Sequence, residues 1–299
     1  MRTTILGQAT VPERTARETA FVAGLVLLWA AYAVTLLAPG VVRIDVHEGD
    51  AVHLAAAVLR IAAHGQVPHL DFSTPLGPLA FAPIAAFVAL GQGLGSAFVS
   101  AQIALGALLL PVLVWIARTR AVSFWLSGGL AMLVLSLAMA LTHGEADGAL
   151  SVSMHYNRWG WAIGFAVLAL ALWPPRARGS ATDLGDGLAI GVGIALLVLL
   201  KVTYAVALAP AVAVALLQTR PRALGVAVAS SAVLLAGTVA ALGPAWAAAY
   251  VLDLAAVMQP DARPTPGAGL AETLATPRIV TAIRSEERRV GKECFLLCR

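Results

Sequence analysis

Asp50 stands near the head of a segment, His47 to Leu79 (HEGDAVHLAAAVLRIAAHGQVPHLDFSTPLGPL), that concentrates acids and histidines just after the first long apolar run. A carboxylate held beside a lipid surface can serve as a general base, and imidazoles can bind a divalent metal or relay protons. That combination makes this loop the candidate active site. A second polar segment, THGEADGALSVSMHYNRWGWA from Thr142 to Ala162, contributes Glu145, Asp147, Tyr156, Asn157 and Arg158. Lys201 is a third feature, because it interrupts the apolar stretch Leu188 to Leu217. An ionisable group at the centre of a membrane helix costs about 2.5 to 3.5 kcal/mol unless it reaches water or a partner. Lys201 therefore marks either the junction of two short passes or a side chain snorkelling from one long tilted helix.

These residues have to be positioned by a membrane. Hydrophobic residues make up 60% of the chain and charged ones 12%, with a mean hydropathy of +0.85, a balance suited to lipid rather than to one soluble core. The formal charge of +4 is small and spread over short loop pairs, which argues against nucleic acid as a partner. Clear apolar runs are Ala20 to Ala38, Ala97 to Ala117, Val122 to Leu141, Trp159 to Trp173 and Ala223 to Leu242. The segment before the first run lacks the short apolar core and cleavage site of a secretory signal, so the first span is expected to stay as an anchor.

Arginine placement sets the expected orientation, since short cytoplasmic loops are enriched in Lys and Arg. Arg2, Arg14 and Arg17 precede the first span, Arg118 and Arg120 follow the second, Arg176 and Arg178 follow the fourth, and Arg220 and Arg222 precede the last. All four clusters share one side if the Lys201 stretch makes two passes. The N-terminus is then cytoplasmic in a multi-pass protein of a bacterial-type inner (plasma) membrane. His47, His53, His64, His69, His143 and His155 then all lie on the outer side, together with Asp45, Glu48, Asp50, Asp71, Glu145 and Asp147. Any one of these could simply be a polar loop residue; the sorting of the whole set points to a site.

Within the first outer loop a helix is expected from Asp50. Asp50, His53, Ala57, Arg60 and His64 share one face, and Ala51, Ala55, Val58, Leu59 and Ala62 form the opposite stripe, as for a helix lying in the membrane interface. Asp50 at its N-terminus can also act as a cap. The prolines of VPHLDFSTPLGP end that helix, and the run Leu79 to Leu90 reads as a second interfacial or dipping helix. GQGLGS (Gly91 to Ser96) lacks the strand-helix context of a nucleotide loop, and GVG (Gly191 to Gly193) reads as a site of close helix packing.

The order of these motifs resembles the C-type-fold, lipid-linked-sugar glycosyltransferases, in the branch of the protein O-mannosyltransferases and the aminoarabinose transferase of lipid A. The resemblance runs from about Ala20 to Leu217. It rests on GDAVHLAAAVLRIAAHG after a first span, the return VPHLDFSTPLGP, the second acidic loop, and LLKVTYAVALAP beyond it. It implies an all-α, polytopic transmembrane bundle with a large outer first loop carrying interfacial helices. It also implies transfer of a sugar from a polyprenyl-phosphate donor to an acceptor at the outer face. The family's catalytic aspartate matches Asp50, and its second-loop acid matches Glu145 or Asp147. The family's adjacent second acid is replaced here by Ala51, and its Glu-Lys pair before the prolines by Ser73 and Thr74.

In such a transfer a base deprotonates the acceptor hydroxyl while the phosphate leaves as an anion, so one carboxylate suffices. A cation near the phosphate would stabilise developing charge, with Lys201, Arg158 and Arg60 as candidates and Asn157 and Tyr156 as sugar or phosphate contacts. Expected partners are the lipid-linked sugar and membrane lipid. No cofactor is called for beyond a divalent ion that the outer histidines and carboxylates could hold, His47 and His53 first among them. The alternative readings are a transporter or flippase-like permease using Lys201 and the outer acids as a path, or a non-catalytic assembly subunit.

Residues 1–283 are read as one integral membrane domain, truncated at its C-terminal side. RSEERRVGKEC, Arg284 to Cys294, is similar to a translated sequencing adapter, so residues 284–299 are expected to be a non-native tail. Cys294 and Cys298 fall within it and bear on neither redox compartment nor metal binding.

Overall fold

The computed structural model describes residues 11–40, 43–44, 51–139, 142–143, 149–151 and 154–258. Its helices are α1 (Val11–Leu37), α2 (Ala51–His64), α3 (Ala82–Ala89), α4 (Leu94–Thr119), α5 (Phe124–Met139), α6 (His155–Leu172), α7 (Ser180–Thr219), α8 (Pro221–Leu242) and α9 (Pro244–Val257), with a 3-10 turn at Pro78–Ala80. Among the described residues, four segments are long and apolar enough to cross a membrane: Glu18–Leu37, Leu94–Thr119, Ser180–Thr219 and Pro221–Leu242. The chain is a helical bundle of membrane type.

The 40-residue α7 is a hairpin of two arms. Lys201 has φ −161° and ψ 106°, an extended conformation that breaks the helix. At 1.5 Å per residue a straight helix would hold Asp186 and Arg220 about 51 Å apart, yet the Arg220 guanidinium pairs with the Asp186 carboxylate. Packing on α6 gives the same answer. Gly193 of the first arm meets Ile163 and Val167, whereas Tyr204 and Leu208 of the second arm lie over Gly160 and Gly164 in the reverse direction. Each arm is close to the ~30 Å of a hydrocarbon core. Of the two shapes left open for the Lys201 stretch, two arms meeting there, not one long helix, is the one observed.

Small residues let these helices approach. A Cβ at Gly187 would sit 2.6 Å from the Ala223 carbonyl oxygen, and one at Gly191 would overlap that of Ala227, so α7 and α8 touch backbone to backbone. Gly191 and Gly193 thus do pack helices, on two different neighbours.

At the end of the bundle opposite Lys201, Asp186 is fully buried and paired with both Arg120 and Arg220. Trp115 Nε1 donates to Asp186 Oδ1 at 2.8 Å, Arg120 donates to the Trp173 carbonyl at 3.2 Å and Arg220 to that of Leu170 at 2.6 Å. Arg176 Nε donates to the Arg120 carbonyl at 2.6 Å, and Arg118 meets Glu18 of α1 at 3.6 Å. The start of α1 and three of the arginine clusters therefore share one end. Burial pulls the Arg120 guanidinium below its ordinary value, which Asp186 opposes.

Three features differ from the sequence expectations. Two residues of β1 (Arg43–Ile44) pair in parallel with β3 (Ala149–Ser151), and β2 (Thr142–His143) pairs antiparallel with β3, so a small sheet in the order β1-β3-β2, not expected from the sequence, joins the two polar loops of an otherwise all-helical bundle. The buried stripe of α2 is Ala51, Leu54, Ala57 and Val58, while Leu59 is 44% exposed; the helix is rotated from the expected stripe because it packs on α3 rather than lying alone in the interface. α9 follows the last apolar run, where no helix is expected; its 14 residues begin after Gly243, whose φ of 91° turns the chain. Residues 1–250 form one compact unit, and residues 251–258 complete α9. The tail 284–299 lies outside the described residues.

Candidate functional site

The break at Lys201 is built from both sides. It frees the Leu200 carbonyl from its helical partner, and Gly77 N donates to it at 3.0 Å. Gly77, between Pro75 and Pro78, is pressed so closely on this arm that a Cβ would overlap the Leu199 carbonyl. Thr74 is buried and its Oγ1 accepts from Leu76 N at 3.3 Å, which shapes the turn leading to Gly77. Upstream, Asp71 accepts from Val67 N at 2.6 Å and His69 adopts φ 75°, so this acid serves the VPHLD turn. His69 is buried against Tyr250, with ring centroids 4.7 Å apart. Tyr250 in turn donates to the Val198 carbonyl at 2.6 Å, and burial pushes its phenol up to about 12.

The Lys201 ammonium is held by the first turn of α6. Nζ donates to Asn157 Oδ1 at 3.0 Å and sits 4.9 Å from the centre of the Tyr156 ring. Tyr204 OH donates to the same Asn157 oxygen at 3.3 Å, and its ring meets that of Trp161 edge-on at 5.3 Å. His155, beside them, is fully buried among Phe98, Tyr156 and Trp159, and its Nε2 bonds the Ala80 carbonyl at 2.9 Å. It ties α6 to the 3-10 turn.

Below this polar group runs an apolar cavity of about 730 Å³ between α4, α6 and the first arm of α7. Leu79, Trp159 and Leu200 line the end nearest Lys201, and Trp115 and Gly185 the far end. Leu200, the residue before Lys201, lines that end, and a cationic side chain close to a long apolar slot suits an amphiphile with an anionic head.

Of the residues singled out from the sequence, Lys201, Asn157 and Tyr156 come together. Arg60 is exposed on α2, its guanidinium carbon 5.5 Å from the centre of the Phe72 ring. Arg158 is half-buried on α6 next to Asn157. His53, exposed on α2, has its ring 6.5 Å from that of Phe81. Asp50, His47, Glu145 and Asp147 lie outside the described residues. Among the described residues no three His, Cys, Asp or Glu side chains converge to hold a metal.

Sequence reasoning missed Tyr204, Gly77 and the cavity. Tyr204 had a signal, a polar ring three residues after the charge that interrupts the apolar stretch. Gly77 had one in its place between two prolines. The cavity had none, since its wall residues are the same Leu, Ala and Val that face lipid.

No protein-family model, no curated protein and no solved structure matches the chain.

Proposed function

We propose that this chain is a glycosyltransferase of the C-type fold, moving a sugar from a polyprenyl phosphate to an acceptor at the outer face of a bacterial-type plasma membrane, with its N-terminus cytoplasmic. The observation that carries the reading is the Lys201 ammonium, fixed at a helix break directly after Leu200, which lines one end of an apolar slot. Phosphate at that ammonium and polyprenyl in the slot would leave the glycosidic carbon at the surface, where the acceptor arrives. Lys201 stabilises the departing phosphate, Asn157 and Tyr204 orient it, and the aspartate preceding α2, Asp50, takes the acceptor proton.

A permease reading places broken helices and their charges near the bilayer midplane. Here the break is at the tip of a hairpin, beside the loop of Gly77, which favours chemistry at the surface.

The test is Asp50→Asn in the full chain, assayed for sugar transfer from a panel of polyprenyl-phosphate sugars. Asn keeps a capping oxygen and nearly the same volume, so a cap alone predicts a loss smaller than the 0.5 to 2 kcal/mol, roughly, of removing a cap outright. A base predicts a fall on the order of 100-fold with donor binding and thermal stability retained, while Asp45→Asn controls for loss of local negative charge. Wild-type turnover in Asp50→Asn would remove this aspartate from the mechanism.

A further inference from the structure

We propose that Trp115 is the stop of the apolar slot and sets how long a stretch of the donor's lipid the protein grips, an inference that rests on the polyprenyl-phosphate reading above. The wall supplied by α7 is Gly185, Leu188, Val192, Leu196 and Leu200, a helical spacing, so the slot follows that arm. Its length is about 22 Å at the rise of an α-helix.

The two ends differ in kind. One end is lined by Leu200, next in the chain to Lys201; at Gly185 the slot meets Trp115, so close that a Cβ on Gly185 would overlap the indole. The ring is locked. Its Nε1 donates to Asp186 Oδ1 at 2.8 Å, and Asp186 is gripped by Arg120 and Arg220, which are themselves anchored on the Trp173 and Leu170 carbonyls. To swing aside, the indole would have to leave its hydrogen bond to a fully buried carboxylate. The flank of the slot is open instead, since Leu108 is 74% and Leu188 45% exposed. A chain longer than the slot therefore leaves sideways into lipid.

That geometry has a consequence for affinity. Lipid tails are as apolar as the wall, so an isoprene unit gains by packing in the slot rather than by escaping water. Units lying inside contribute; units beyond Trp115 sit in bilayer whether the head is bound or free. A narrow slot with a cation close to one end fits one branched chain bearing one phosphate, rather than a two-chain phospholipid.

The experiment measures the binding of unsubstituted polyprenyl monophosphates of increasing length to the full chain in phosphatidylcholine nanodiscs. Affinity is expected to rise with chain length until the extended chain reaches about 22 Å, the helical rise over the lined stretch, and then to stay flat. Trp115→Ala should move the plateau to longer chains, and Trp115→Phe, which keeps a ring over Gly185, should leave it in place. Affinity that keeps climbing past that length in wild type, or a plateau that Trp115→Ala leaves unmoved while the protein stays folded, overturns the stop. If Trp115→Ala fails to fold, the wild-type length series alone decides. Equal competition by dioleoyl phosphatidate would make the slot a general anionic-lipid site and also overturn it. Binding of no polyprenyl phosphate at any length removes the donor reading itself.

Discussion

At the scale of single residues, the site turns on how Lys201 keeps its charge in an apolar stretch. Extended backbone at this one position lets the ammonium meet Asn157 at 3.0 Å and the Tyr156 ring at 4.9 Å, which offsets the desolvation that a mid-helix lysine would suffer. If that charge holds a lipid phosphate, Lys201→Met should weaken polyprenyl-phosphate binding by a factor on the order of 10, the tenfold that about 1.4 kcal/mol represents and the low end for a lost charge-assisted hydrogen bond. Lys201→Arg should keep part of it, because the charge remains while the planar fork fits the Asn157 oxygen less well. Isothermal titration of both variants checks this, and unchanged affinity in Lys201→Met would return the residue to a packing role. The lysine was legible as an anomaly because charge is rare in such a run. Its partners were not, since Asn157 and Tyr156 read as sugar or phosphate contacts and nothing in their spacing places them beside Lys201.

At the scale of elements, the hairpin exists because a loop supplies what the broken helix lacks. Gly77 donates to the Leu200 carbonyl and lies against Leu199 with no room for a side chain. Gly77→Ala should therefore destabilise the protein by about 1 to 3 kcal/mol, the usual penalty for overpacking, and also weaken donor binding by shifting Lys201. Gly237→Ala on α8 is the control, since a Cβ there meets nothing and an alanine favours helix. Thermal unfolding in detergent distinguishes them; equal melting of the two variants would separate the loop from the break. The helices of the apolar runs were legible from run length, and the kink from Lys201. The sheet and α9 were not: strands of two and three residues are fixed by partners far along the chain, and the 14-residue α9 is shorter than any span. The stripe of α2 was misjudged for a related reason. Alanine is small enough for either face, so Ala57 could not be told from Ala55 until α3 covered one of them.

At the scale of the whole molecule, the two ends of the bundle are chemically opposite. One gathers Arg118, Arg120, Arg176 and Arg220, of which Arg120 and Arg220 grip the buried Asp186 carboxylate; the other gathers His69, His155, Lys201 and the Gly77 loop. Burying Asp186 with two arginines is tolerated because each ion finds a partner, and this knot holds the feet of α4, α6 and both arms of α7 together. We propose, from the positive-inside rule, that this arginine-rich end faces the cytoplasm. Ser73 is exposed next to the Gly77 loop, and Ser180 is exposed at the foot of α7, one arm's length from Lys201. With Cys294 and Cys298 replaced by serine, a cysteine at Ser73 should react with an impermeant thiol reagent in intact cells, and a cysteine at Ser180 should react only after the membrane is opened. Reaction at Ser180 with protection at Ser73 would invert the molecule and move the Lys201 site to the cytoplasmic face. Reaction of both in intact cells would mean that the arm between them does not cross the membrane. The hairpin would then lie in the interface, and neither the slot nor its stop at Trp115 could run through the hydrocarbon.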